Sequence, residues 1–440
     1  MRDLILLGMV VAALPFACRH TWIGVLLWTW ISIMNPHRLA WGFAMNMPFA
    51  AMAAGATVVS LFITKDKVRL INHPAVIALI LLTLWMVVTT IFAIYPDESW
   101  ADLKRTFKIQ AMTLVAVAAL RERRHIELFI WVIVISLGFY GLKGGVFTIL
   151  TGGGQRVWGP PGGFIEGNNE VGLALVMVIP LMNYLRVVTT RRWIRNSLVA
   201  LMIFTAIAVL GTQSRGAFLA ISAMGIVLWL RSKEKALAAV VIGLAGLLLT
   251  AFMPASWEER MQTIGATHQD ASVMGRINAW QMTFHLANDR PLGGGFWIYT
   301  PNVFGKYAPV PDDVHAAHSI YFQILGEHGY LGLLLFLLIG FFTFRTAAKI
   351  RKEARKREDA QWLYNLAGMM QVSMIGYAVG GSFLSLAYFD LPYDLMVIVI
   401  VGQRWLQDHK DRVSDQVGAF GAGGPVGALP PRPGGRRPAS

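Results

Sequence analysis

The chain is short of charge, nearly devoid of cysteine, and has no long soluble stretch that would cut its apolar runs into separate domains. Only 15% of its 440 residues are charged against 55% hydrophobic, where a soluble domain carries about a quarter charged. That deficit argues against an ordinary soluble globule and for one integrated membrane bundle. The single cysteine, Cys18, excludes an intramolecular disulfide and leaves the redox compartment open. No Gly-Lys-Ser/Thr follows the glycine-rich stretch 152–163, so it is not a phosphate loop of the nucleotide-binding kind. Ionisable residues inside the apolar runs are few, which disfavours a proton-coupled pump.

The formal charge is +14, yet its distribution argues against nucleic acid as a partner. Basic residues sit in short hinges between apolar runs: Lys65, Lys67 and Arg69; Arg121, Arg123 and Arg124; Arg186, Arg191, Arg192 and Arg195; Arg231, Lys233 and Lys235; and Arg345 to Arg357. Short loops rich in Lys and Arg mark the cytoplasmic side of a membrane protein. Apolar runs at 43–64, 74–94, 105–120, 126–148, 170–187, 196–211, 215–231, 236–253, 319–345, 363–383 and 389–405 are the expected spans. Residues 4–35 hold two short runs split by Arg19 and His20, either one broken pass or a hairpin, and are read as retained in the membrane rather than cleaved. Counted as one pass, they give an all-α polytopic membrane protein of about twelve transmembrane helices with both termini cytoplasmic. The bundle takes residues 1–405, and residues 406–440 form a basic, disordered cytoplasmic tail that is Gly- and Pro-rich from Gln416.

The same parity sends 149–169, 211–215, 254–318 and 384–389 to the outer face. The long loop 254–318 contains Trp257, Trp280, Phe296, Trp297 and Tyr299, enough aromatic mass to pack as short helices, with 275–288 the best of them. Arg215 lies in Gly211-Thr-Gln-Ser-Arg-Gly216 at the entry of a span. It is either a snorkelling interfacial anchor or a planar fork of donors for phosphate oxygens. His318, at the start of the 319–345 run, is either a helix-start hydrogen bonder or a general base with an ordinary pKa near 6.5. His315 would share its helical face, and with Asp312 and Asp313 it makes a thin case for a metal, so none is expected. Arg156 in the glycine-rich loop is a candidate phosphate contact, and Asn168 or Asn169 a cap of the next helix. Arg276 and Trp280 would share one helical face, for packing or for ligand. Chemistry on the outer face, away from ATP, needs a substrate that arrives activated.

His318-Ser319 followed by Gly329 in HSIYFQILGEHG resembles the signature of the O-antigen ligase and polymerase superfamily. The block Arg276-x3-Trp280 with Asp289-Arg-Pro-Leu-Gly293-Gly-Gly295, the turn Gln213-Ser-Arg215-Gly and the helix start Asn168-Asn169-Glu170 are similar to the same superfamily. The N-terminal stretch TWIGVLLWTWISIMNPHRLAWGF is similar to a subgroup described as O-glycosylation ligases. The resemblance implies a bacterial inner-membrane enzyme with a periplasmic site, needing no cofactor or metal. It would move a glycan from undecaprenyl diphosphate to an acceptor hydroxyl, with inversion. In that reading His318 takes the proton and Arg215 stabilises the leaving diphosphate. Arg156, Arg276, Asn168, Asn169, His315 and Trp280 would contact the substrates. The acceptor would be lipid A-core, a growing glycan or a protein; a lipid-linked glycan transporter is the reading from another class.

Overall fold

A computed structural model describes residues 1–66, 68–232 and 271–421, with isolated positions between 234 and 257. The protein is 78% helical, with no strand among the described residues. In chain order the helices are α1 (Arg2–Arg19), α2 (Thr21–Met34), α3 (Phe49–Ile63), α4 (Pro74–Ile91), α5 (Pro96–Ala119), α6 (Arg123–Leu150), α7 (Asn168–Val188), α8 (Arg192–Gly211) and α9 (Arg215–Arg231). They continue with α10 (Ala271–Asp289), α11 (Pro301–Tyr307), α12 (Ile320–Ala354), α13 (Gln361–Gly381) and α14 (Asp390–Gly421). Five of them, α4, α6, α7, α8 and α12, are long and apolar enough to cross a membrane. Most of the expected span 236–253, the loop stretch 258–270, Lys67, Lys233 and the tail beyond Gly421 fall outside the described residues.

Local chemistry starts the helices where it should. Pro74 stands at the start of α4 behind His73, whose ring accepts the Ala75 N–H at 3.1 Å. Pro96 opens α5 with Asp97 and Glu98 in its first turn, where carboxylates suit the helix dipole. Inside the helices the hydroxyls of Thr83, Thr90, Thr113, Thr148, Thr205 and Thr343 donate to the carbonyl four residues back. That habit satisfies a polar side chain without water and suits a helix in lipid. Small residues set the closest packing. A Cβ at Gly145 of α6 would come within 2.3 Å of the Phe204 carbonyl of α8, and one at Gly141 within 2.2 Å of Thr205 Oγ1.

Residues 4–35 form a hairpin, not one pass. Asp3, at the start of α1, accepts the N–H groups of Gly42 and Ala44, just past the end of α2 (3.1 and 3.0 Å). At the other end of the pair, His20 meets Asp66 at 3.2 Å. The chain therefore turns back on itself within the stretch counted above as one pass, and its first residues lie at the end opposite the 65–69 hinge. α14 runs on to Gly421, past residue 405, where the bundle was expected to end.

The basic hinges gather at one end. The Arg69 N–H donates to the Ala118 carbonyl at 3.3 Å, and Arg404 donates to the Arg69 carbonyl at 3.4 Å. The Arg123 guanidinium lies 5.0 Å from the Trp362 ring centroid. Arg231 and Arg351 both donate to Gln371 Oε1, at 3.0 and 3.3 Å. The other end holds the turn between α8 and α9, the loop before α7, the segment before α12 and the turn before α14.

Candidate active site at the hinge-free end

Three segments far apart in sequence converge around the turn that carries Arg215. Ser214 caps α9, its hydroxyl accepting the Ala217 N–H at 3.2 Å. Gln213, just before it, is held at φ 54, in the left-handed region. Its amide donates to the Gly153 carbonyl at 3.0 Å and accepts from Arg156 Nε at 3.4 Å. Asn168 does not cap α7, whose cap is Gly167. It lies buried in the first turn and donates to the Thr212 carbonyl at 2.8 Å, while Asn169 beside it is half-buried. Arg156, Asn168 and the half-buried Arg215 are thus carried by one cross-linked patch.

The second patch is the irregular segment 308–319, which α10 clamps from one side. Asn278 donates to the carbonyls of Val310 and Asp313 at 2.8 and 3.0 Å and accepts the Val310 N–H at 3.0 Å. Trp280 donates to the Ala317 carbonyl at 2.6 Å while its ring stacks on Phe322, centroids 4.9 Å apart. Gly275 leaves room for the His315 ring, whose Cδ2 a Cβ there would approach to 2.5 Å. His315 Nε2 in turn meets Asp313 Oδ1 at 2.7 Å. Arg276 and Trp280 share α10, and Trp280 spends its N–H on the backbone next to His318.

His318 is not helical. It has φ 43, ahead of Ser319, the residue that caps α12, so His315 and His318 share no helical face. Left-handed backbone at a non-glycine residue is strained by about 1–3 kcal/mol and persists where its surroundings over-determine it. Among the described residues only Asn35, Gln213 and His318 show it, and two of these three stand in the two patches. His318 Nδ1 is buried with no hydrogen-bond partner among the described residues. Burial, then the charge of Arg276, then His315 push its pKa down to about 4. The ordinary value near 6.5 expected for it is therefore corrected: the imidazole is neutral throughout the neutral range, with a lone pair open for a proton.

The two patches share one neighbourhood. Arg276 is within electrostatic reach of both His318 and Glu170, in the first turn of α7. The end of α13 bridges from the other side: a Cβ at Gly216 would sit 3.1 Å from Phe383 Cβ, and one at Gly381 would sit 2.5 Å from Ile320 Cδ1. Arg215 and His318 are each within two residues of those contacts. No group of three or more His, Cys, Asp or Glu residues suited to a metal ion occurs among the described residues.

Two glycine-rich blocks noted separately in the sequence turn out to be one joint. The Gly294 N–H donates to the Gly326 carbonyl and the Gly295 N–H to that of Glu327, both at 2.9 Å. Gly293 and Gly329 have φ 78 and 66, and a Cβ on Gly329 would lie 1.9 Å from the Pro291 carbonyl oxygen. Gly329 also breaks α12 into two helical pieces. Just before that break sits Glu327, 3% exposed, its carboxylate bonded by the Tyr388 hydroxyl. Sequence reasoning passed over Glu327, although a carboxylate inside an apolar run is a functional signal in its own right. It passed over Asn278 as well, for which a lone amide on a helix offered no signal.

Residues 1–190 match the model of a family of unknown function (DUF5935), a region that holds Arg156, Asn168 and Asn169. No curated protein matches the chain. Residues 200–337 match the family model described as O-antigen ligase, a stretch that includes Arg215, Arg276, Trp280, His315 and His318. That match, over about a third of the chain, supports the O-antigen ligase superfamily as its family.

Proposed function

We propose that this protein is a periplasmic-facing glycan ligase of the bacterial inner membrane, transferring O-antigen from undecaprenyl diphosphate to lipid A-core. The observation that carries the reading is His318: strained, neutral, with an unserved ring nitrogen, at the end of the bundle that also holds Arg156, Arg215 and Arg276. The basic hinges at the other end face the cytoplasm under the positive-inside rule, which turns His318 outward. The bundle spans residues 1–405, with 254–318 as its main periplasmic loop.

The chemistry balances without nucleotide or metal. An acceptor hydroxyl oxygen attacks the anomeric carbon of the first sugar while His318 takes the hydroxyl proton. The bond from that carbon to the diphosphate oxygen breaks, and undecaprenyl diphosphate leaves with the electron pair, so configuration inverts. Arg215, with Arg156 and Arg276 as helpers, stabilises the charge that builds on the departing oxygen. Asn168, Asn169, His315 and Trp280 shape the walls around that diphosphate and its glycan. An apolar groove between α12, α13 and α14 suits the prenyl tail. It begins at Ile320 and Tyr321, beside His318, and continues past Phe336, Gly340 and Phe344.

Deleting the gene tests this reading through the glycans the cell accumulates. The expected result is bare lipid A-core together with full-length polymer left on the lipid carrier. Single unpolymerised repeats on the carrier would instead mark a polymerase, and an unchanged glycan profile would remove the ligase reading.

A further inference from the structure

A second cavity adjoins the His318 segment, and the proton transfer described above does not use it. Its volume is about 300 Å³, at the small end of the usual range for ligand sites. Ala316, two residues before His318, forms part of its wall, and Gln323, in the first turn of α12, forms another. Asp102 and Arg105 of α5 face them, and the turn before α14 contributes Ser385 and Tyr388.

The lining mixes two kinds of surface. Glu327 is its buried carboxylate, and Gln323 Oε1 and Ser385 Oγ are buried with no hydrogen-bond partner among the described residues. Buried polar atoms in folded proteins nearly always find partners, so these two point to a ligand rich in hydroxyls. Beside them stand flat aromatic faces: Phe164, Phe296, and Trp297, which is 50% exposed. A phosphate fits poorly here, because the one guanidinium faces Asp102 and is already 3.8 Å from the Phe164 ring centroid. A prenyl chain would leave the buried Gln323 and Ser385 oxygens unpaired. A pyranose ring fits both surfaces, with hydroxyls around its rim and an apolar C–H face for an indole.

We infer that this cavity is the subsite for a pyranose ring of the acceptor. The inference rests on the transfer reading for the choice of acceptor over donor. His318 takes the acceptor's proton, and Ala316, two residues before it, walls this cavity, so the ring that enters here is the one that brings the attacking hydroxyl. Asp102 and Gln323 bind ring hydroxyls, and Trp297 covers the apolar face.

The test uses the full chain in lipid nanodiscs with the methyl glycosides of glucose, galactose and N-acetylglucosamine as probes. Binding is read by saturation-transfer NMR without any donor. The wild type and His318→Ala are expected to bind at least one glycoside, Trp297→Ala and Asp102→Asn to lose it, and Trp297→Phe to keep part of it. Absence of binding to all three by the wild type, or retained binding in both Trp297→Ala and Asp102→Asn, overturns the subsite. In a transfer assay, Asp102→Asn is expected to raise the acceptor KM roughly ten- to a hundredfold with the donor KM unmoved. An unchanged acceptor KM also overturns the subsite. Sugar binding by a protein that shows no transfer from a lipid-diphosphate donor leaves the subsite standing and removes the ligase reading instead.

Discussion

His318 is held by its neighbours in a state that an isolated histidine would not choose. Burial and the Arg276 charge keep its pKa near 4, so protonation switches it off only in strong acid. For the free enzyme, kcat/KM for transfer is therefore expected to fall as pH drops through about 4, the acid limb following the neutral imidazole. A limb near 6.5 would show that burial and the Arg276 charge do not lower His318 in this way. An anionic diphosphate beside Arg276 offsets part of that charge, so the limb seen in kcat is expected at higher pH than the one in kcat/KM. Arg215→Lys separates charge from geometry: it keeps the cation and loses the planar fork. The expected loss is about tenfold to a hundredfold in transfer, and full activity would reduce Arg215 to a point charge. Both residues were legible in the sequence, because each stands beside a break in apolar pattern. The low pKa of His318 was not, since it depends first on burial and then on the charge of Arg276, forty-two positions away, both of which only the fold supplies.

At the scale of elements, the joint between 293–295 and 326–329 is the feature most exposed to a single change. Gly329 sits at φ 66 and ψ −170, a conformation open to glycine almost alone, with the Pro291 carbonyl where a Cβ would be. Gly329→Ala is expected to destabilise the protein by about 1–3 kcal/mol from backbone strain, with the clash in addition. A melting curve of the purified variant should fall several degrees below the wild type, and a superimposable curve would show that the kink is not required. Each glycine block was visible in the sequence, but their pairing was not, because backbone hydrogen bonds leave no trace in side-chain identity. The hairpin of α1 and α2 was underdetermined for a similar reason: Arg19 and His20 mark a break, and only the contacts of Asp3 and His20 say that the chain turns back there. Apolar runs located the helices themselves well, as α4 and α7 show, since a helix in lipid must be apolar along its whole length.

Across the whole molecule, charge separates the two ends. Basic hinges gather at one, and the arginines of the candidate site are embedded among partners at the other. If the hinge end is cytoplasmic, a single cysteine placed at Asp312 in a Cys18→Ser background is expected to react with an impermeant maleimide added outside spheroplasts. One placed at Lys356 should react only after lysis. Because α1 and α2 form a hairpin, a cysteine at Arg2 is expected to label from the same side as Asp312; labelling with Lys356 would contradict the hairpin. The most direct measurement is transfer by the purified protein from undecaprenyl-diphosphate-linked O-antigen to lipid A-core, comparing the wild type with His318→Ala at equal folded amounts. The expected result is product from the wild type without added nucleotide and a loss of roughly 10²- to 10⁴-fold in the variant. Transfer at the wild-type rate by a well-folded His318→Ala would contradict the central claim.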